Sequence, residues 1–196
     1  WDIEAGAYMA ATESPGGRQV LAVVGVYGVI THRAGMFTQT SGLASAEAIQ
    51  ARVRAAATDP GVKAIVLDVD SPGGTVFGIQ ELAAEIRSAR EVKAVRAVAN
   101  ARALSAGYWI ASQADRLTVT PSGQVGSIGI IYEHEDVSGM NEKLGVKVTT
   151  ITHGKNKALG SPNESLSEEG RAEVEKLVRQ YGAAFEADVA KGRGVT

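Results

Sequence analysis

The chain has 196 residues, with 20 Lys and Arg against 22 Asp and Glu and a formal charge of −2. That length suits one large core or two small ones, and the near balance of charge lacks the positive excess that phosphate neutralisation demands, which argues against general nucleic-acid binding. Cysteine is absent, so disulfides, thiolate nucleophiles and Cys-ligated metals are excluded, and covalent chemistry falls to Ser, Thr or Lys.

The 23 Gly and 31 Ala stand against 10 aromatic residues, a composition suited to tight turns and close strand-helix contacts. Residues 1–18 are polar, small and turn-forming, with SPGGR at 14–18; we read them as an N-terminal arm and 19–196 as one domain. The longest apolar run, 20–30, is far short of the ~20 residues of a spanning helix and reads as a buried strand, so no membrane segment is expected in this chain. A Gly/Thr/Ser-rich loop through about Ser41 follows. Ser45 is placed to cap a helix whose Ile49, Val53, Ala56 and Ala57 share a face, and Asp59-Pro60-Gly61 ends it. AIVLDVD at 64–70 has the near-continuous apolar pattern of a parallel strand covered on both faces.

The same pattern then repeats. A helix is expected over 77–90 with Ile79, Leu82, Ala83 and Ile86 on one side, then a strand over 94–99. SAGYWIASQAD reads as a short buried helix starting at Ser105. Strands are expected over 117–119, 128–132 and 146–152, and a helix over 137–144. The last helix starts from a capping Ser167 with Glu168 and Glu169 in its first turn, and carries the stripe Val174, Leu177, Val178, Tyr181, Phe185 and Val189. Strands alternating with helices imply an α/β fold with mostly parallel pairing.

Two segments lie where parallel strands end, the usual place for ligands in α/β proteins. In Ser71-Pro72-Gly73-Gly74, two glycines after a buried strand let a substrate approach the backbone and let N–H groups face an oxyanion; the alternative is a simple turn. In Ala103-Leu104-Ser105-Ala106-Gly107, Ser105 stands at the positive end of a helix beside the Ala106 N–H; the alternative is that Ser105 only caps that helix. A serine nucleophile needs a base. His32, His134 and His153 form no metal-binding pair, so a metal site is not expected. His134 lies 29 residues after Ser105, but His134-Glu135-Asp136 suits a solvated turn. Lys155 and Lys157 occupy the loop GKNKALGSP at 154–162.

AIVLDVDSPGG, ALSAGYWIAS, VGSIGII and GKNKALGSP, in that order, resemble the serine peptidases that comprise signal peptide peptidase A and the phage capsid-assembly proteases of the lambda protein C type. The likeness extends from about residue 20 to 193, and SAGYWIASQAD and His134-Glu135-Asp136-Val137-Ser138 resemble the phage branch more closely. The resemblance implies a fold shared with the Clp protease subunit and the crotonases, no cofactor, and a Ser-Lys dyad in which Ser105 is nucleophile and Lys157 general base. It also implies backbone oxyanion donors at Gly73 or Gly74 and at Ala106, with Ser127 positioning the lysine. It further implies a polypeptide substrate, either a capsid or scaffold protein or a signal peptide, and a closed homo-oligomer. The place of action would be the bacterial cytoplasm or the phage prohead, or a membrane if a leader or anchor lies outside this chain. Family members continue beyond the equivalent long helix, so a further C-terminal piece is expected.

Two other readings stand beside this one. Ser105 with Asp115 or Asp136 and then His134 or His153 follows the chain order of an α/β-hydrolase esterase, with Ala103-x-Ser105-x-Gly107 approximating its nucleophile elbow. The same fold used for assembly, without catalysis, is the other.

Overall fold

The computed structural model describes residues 7–14, 17–33 and 43–195. Most of the loop expected before Ser45, and residues 1–6 of the arm, lie outside these. The chain divides into two compact units, one up to Gly129 together with Ala184 onward, the other Ile130–Ala183.

The first unit is built on a seven-stranded sheet. Its strands are β1 (Ala7–Ser14), β2 (Gly17–Thr31), β3 (Ala44–Ser45), β4 (Val62–Gly74), β5 (Ala94–Leu104), β6 (Arg116–Val119) and β7 (Gln124–Gly126). The order is β1-β2-β4-β5-β6, with β3 paired to β2 and β7 to β5. Only β1 and β2 run antiparallel; all other pairs are parallel. The α/β class and mostly parallel sheet expected from the sequence are thus observed. Part of the expected arm is a strand: residues 7–14 form β1 and pair with β2.

Helices α1 (Ala46–Thr58), α2 (Ile79–Arg90) and α3 (Ala106–Ala111) connect the parallel strands. Ser45 caps α1, accepting the Ala48 N–H at 3.2 Å, and Asp59 ends it as expected. The core lies between sheet and helices. Ile65, Leu67 and Val69 of β4 alternate inward, and with Ile49 and Val53 of α1 and Leu82 and Ile86 of α2 they are fully buried. On β5 the inward residues are Val95 and then the small Ala97, Ala99 and Ala103. Their small side chains are the structural use of the alanine-rich composition: they let α3 sit close to the strand.

The second unit holds α4 (Ser138–Lys143) and the start of the long helix α5 (Glu168–Arg193), whose last turns belong to the first unit. Ser167 caps α5 through the Gly170 N–H at 3.1 Å. The strands expected over 128–132 and 146–152 are not formed as regular strands. Apolar residues are there, but a strand also needs a ladder partner, and among the described residues these segments have none.

Candidate active site

The parallel sheet delivers two segments side by side at the C-terminal ends of β4 and β5. Ser71-Pro72-Gly73-Gly74 is the end of β4 itself, not the simple turn left open by the sequence. Pro72 has no N–H to give the ladder. Accordingly the β2–β4 register shifts there: Tyr27 pairs with Asp70, but Val29 pairs with Gly73. Beyond the shift, Gly74 fits because it lacks a side chain, since a Cβ would lie 2.0 Å from the Ile30 carbonyl oxygen.

Ser105 joins β5 to α3. Its backbone has φ 50° and ψ −124°, a region that costs a non-glycine residue about 1–3 kcal/mol and persists only where the surroundings hold it. Here the Ser105 N–H donates to the Gly126 carbonyl at 2.8 Å, and its carbonyl accepts the Trp109 N–H at 2.9 Å. Its hydroxyl makes no capping hydrogen bond to α3, so the serine is not there as a helix cap. Ser105 is only half-buried, which leaves Oγ reachable. Gly73 abuts it: a Cβ on Gly73 would lie 2.6 Å from Ser105 Cβ and 3.0 Å from Oγ. Gly73 has φ 109°, left-handed backbone that glycine tolerates. Ala106 follows Ser105 as the first residue of α3, where its N–H has no carbonyl within the helix to bond.

Ser127 follows Gly126 and is exposed, with φ 56°. Thus Ser105, Gly73, Gly74, Ala106 and Ser127 all lie in the first unit, and hydrogen bonds or close contacts join Ser105 to Gly73 and to Gly126. Lys157 belongs to the second unit, in a turn closed by its N–H on the Gly154 carbonyl at 3.3 Å. Among the described residues, its ammonium has no carboxylate partner. Lys155 differs, being paired with Glu169 at 2.9 Å.

Of the groups named for a Ser-Asp-His relay, Asp115, Asp136 and His134 have other partners, and His153 lies exposed in the second unit. Asp115 accepts from Arg90 Nε at 2.9 Å and from the Val95 N–H at 2.7 Å, an anchor for β5. Asp136 accepts from the Ser138 N–H at 2.9 Å and the Ser165 hydroxyl at 2.6 Å. The Ser138 and Ser165 bonds hold its carboxyl down at about 2. His134 Nε2 meets the Glu164 carbonyl at 3.1 Å. Among the described residues no carboxylate is hydrogen-bonded to a histidine, and no group of side chains could hold a metal ion.

A Ser at an elbow of unfavourable φ, glycine backbone pressed against its side chain and a helix starting at the next residue together suit acyl transfer. A family model described as Peptidase family S49 matches residues 87–196. The chain belongs to this peptidase family. It is 35% identical over 176 residues to Capsid assembly protease C of Escherichia phage lambda, covering 90% of this chain and 40% of that protein. With Head-tail preconnector protein GP5 of Enterobacteria phage P21 it shares 33% over 176 residues, 90% of this chain and 35% of that one. With a putative signal peptide peptidase SppA of Enterococcus faecium the figures are 34% over 139 residues, 70% of this chain and 40% of the relative. The chain therefore spans less than half the length of these relatives.

Sequence reasoning treated Ser71 only as part of its tetrapeptide, and it missed the buried network behind the serine helix. Trp109 Nε1 donates to Asp188 Oδ2 at 2.9 Å, Arg87 pairs with Asp188 Oδ1 at 3.1 Å, and the Trp109 ring stacks on Phe185 at 4.4 Å between centroids. No local signal links residues 79 positions apart.

Proposed function

We propose that this chain is the catalytic domain of a serine endopeptidase, with Ser105 as nucleophile and Lys157 as general base. The observation that carries the reading is Ser105 itself, strained at an elbow, free of a capping bond and pressed by Gly73, in a member of Peptidase family S49. Lys157 acts as a base only as the free amine, a state that burial under a bound polypeptide and the Ser127 hydroxyl favour. The amine takes the Ser105 proton as Oγ attacks the scissile carbonyl, and returns it to the leaving amine. The acyl-enzyme is then cleaved by water that gives its proton to the same amine.

The oxyanion is held by the Ala106 N–H and the Gly73–Gly74 backbone. The Gly73 N–H already donates to Ser71 Oγ at 3.1 Å, so Gly74 is the better placed of the two glycines. Losing one such donor costs about 3 kcal/mol of barrier.

The names of the phage relatives favour a capsid or scaffold polypeptide as substrate, acted on in the host cytoplasm or the prohead. Exposed apolar residues of the second unit, Ile131 at 87% and Ile151 at 92%, support burial against further copies of the chain. Incubation with candidate phage scaffold proteins and signal peptides tests the reading on gels. Cleavage of scaffold by the wild-type chain and not by Ser105→Ala is expected; cleavage of signal peptide alone would move the substrate, and identical patterns for both chains would end the peptidase reading.

A further inference from the structure

Ser71 is buried with no exposed surface, yet its hydroxyl is not a reacting group in the mechanism above. It sits at the point where Pro72 interrupts the β2–β4 ladder. The Gly28 carbonyl there cannot receive an N–H from Pro72. Ser71 Oγ supplies the missing donor, giving its proton to Gly28 O at 2.7 Å, and accepts the Gly73 N–H at 3.1 Å. The same side chain supports the serine helix: a Cβ on Gly107 would lie 3.1 Å from Ser71 Cβ and 3.4 Å from Oγ. One side chain therefore bonds to Gly28 of β2 opposite the β4 bulge and to Gly73, and lies beside Gly107 in the first turn of α3. Directly across from it, Gly73 abuts Ser105.

We propose that Ser71 is a positioning residue for the oxyanion site, its hydroxyl fixing the Gly73–Gly74 backbone against Ser105. This rests on the peptidase reading. Without the hydroxyl, the Gly28 carbonyl and the Gly73 N–H lose a buried partner, and the Gly73–Gly74 peptide is free to turn. Binding of an extended polypeptide is spared, because it does not depend on where that N–H points. Stabilisation of the tetrahedral oxygen is lost, because it depends on donors 2.7–3.1 Å from that oxygen.

The test compares the peptide aldehyde Z-Leu-Leu-leucinal with the alcohol of the same sequence. Ser105 Oγ adds to the aldehyde carbon as the C=O π bond opens, the hydroxyl proton passes to the Lys157 amine, and the aldehyde oxygen takes the place of the oxyanion; the alcohol forms no such adduct. In Ser71→Ala we expect aldehyde affinity to fall about 10–100-fold with alcohol affinity unchanged. Ser71→Cys keeps the volume and a weak S–H donor and should recover part of the loss. A folded variant whose aldehyde-to-alcohol ratio equals the wild type's overturns the role, as does failure of both variants to fold, which would assign the hydroxyl to stability. If the wild-type chain itself binds the aldehyde no better than the alcohol, the peptidase reading fails. Hydrogen exchange of the Gly73 amide still reads the clamp in that case: slow exchange that Ser71→Ala accelerates supports it, and equal rates overturn it.

Discussion

Lys155 and Lys157 stand two positions apart in one loop and differ in their surroundings. Lys155 is paired with the Glu169 carboxylate, whereas Lys157 has no such partner among the described residues. A base must release and regain a proton, so the unpaired lysine is the one suited to it. The loop sequence alone did not separate them; the resemblance to the family did, through the G-x-x-K pattern from Gly154. Asp136 is the complementary case, a carboxyl used for structure. Its carboxyl lies at about 2, lowered from 3.8 by the Ser138 and Ser165 bonds. A carboxyl depressed on folding contributes above its unfolded value and loses that contribution as pH falls through its folded one. The tether between residues 136 and 165 should therefore hold above about pH 4 and be lost towards about pH 2. A carboxyl-carbon NMR titration checks this: Ser165→Ala should move the Asp136 midpoint up towards 3.8, and an unmoved midpoint would contradict the assignment.

At the scale of elements, α1, α2, α3 and β4 were legible because each carries a periodic apolar face and a stop or start signal. Ser45 and Ser167 cap as their positions suggested. The last helix was legible as a helix but not as a lock. Phe185 and Asp188 reach Trp109, one helical turn beyond Ser105, and Arg87 closes the ion pair. These contacts cross 76 to 101 residues of sequence, so no local pattern announces them. Gln113 completes the network, donating to the Asp188 carbonyl at 3.1 Å. Because the carboxylate is nearly buried, Asp188→Ala leaves the Arg87 charge and the Trp109 N–H without their partner. We expect a loss of about 3 kcal/mol, read by chemical denaturation, with Phe185→Ala costing a similar amount. A change within about 0.5 kcal/mol, the range of an ordinary surface substitution, would show that α5 does not brace the serine helix.

For the whole molecule, the sheet and the two strand ends that carry Gly73, Gly74 and Ser105 follow from patterns inside the chain, and so do the helices of the second unit, whereas two expected strands do not form. Residues 128–132 are almost wholly apolar and 146–152 alternate in part, patterns that report a need for cover and not what provides it. Ile131, Leu144 and Ile151 stand exposed, as does Leu177 on the expected stripe of α5. Isolated exposed apolar residues are ordinary, and it is a contiguous patch that marks an interaction surface; the proposed assembly requires these four to be covered by further copies of the chain. Sedimentation velocity at micromolar concentration should give a species several times the 20.4 kDa of one chain, reduced by Ile131→Lys with Ile151→Lys. A wild-type chain that sediments as a monomer would contradict assembly through copies of itself.

The central claim is that Ser105 is activated by Lys157, and covalent labelling with a fluorophosphonate tests it most directly. The reagent loses fluoride as Ser105 Oγ bonds to phosphorus, and the peptide that carries the adduct is read by mass spectrometry. We expect a single adduct on Ser105 in the wild-type chain, its rate little changed in Lys155→Ala, and almost no adduct in a folded Lys157→Ala. Labelling of Lys157→Ala at the wild-type rate, or no adduct on Ser105 in the wild-type chain, would contradict it.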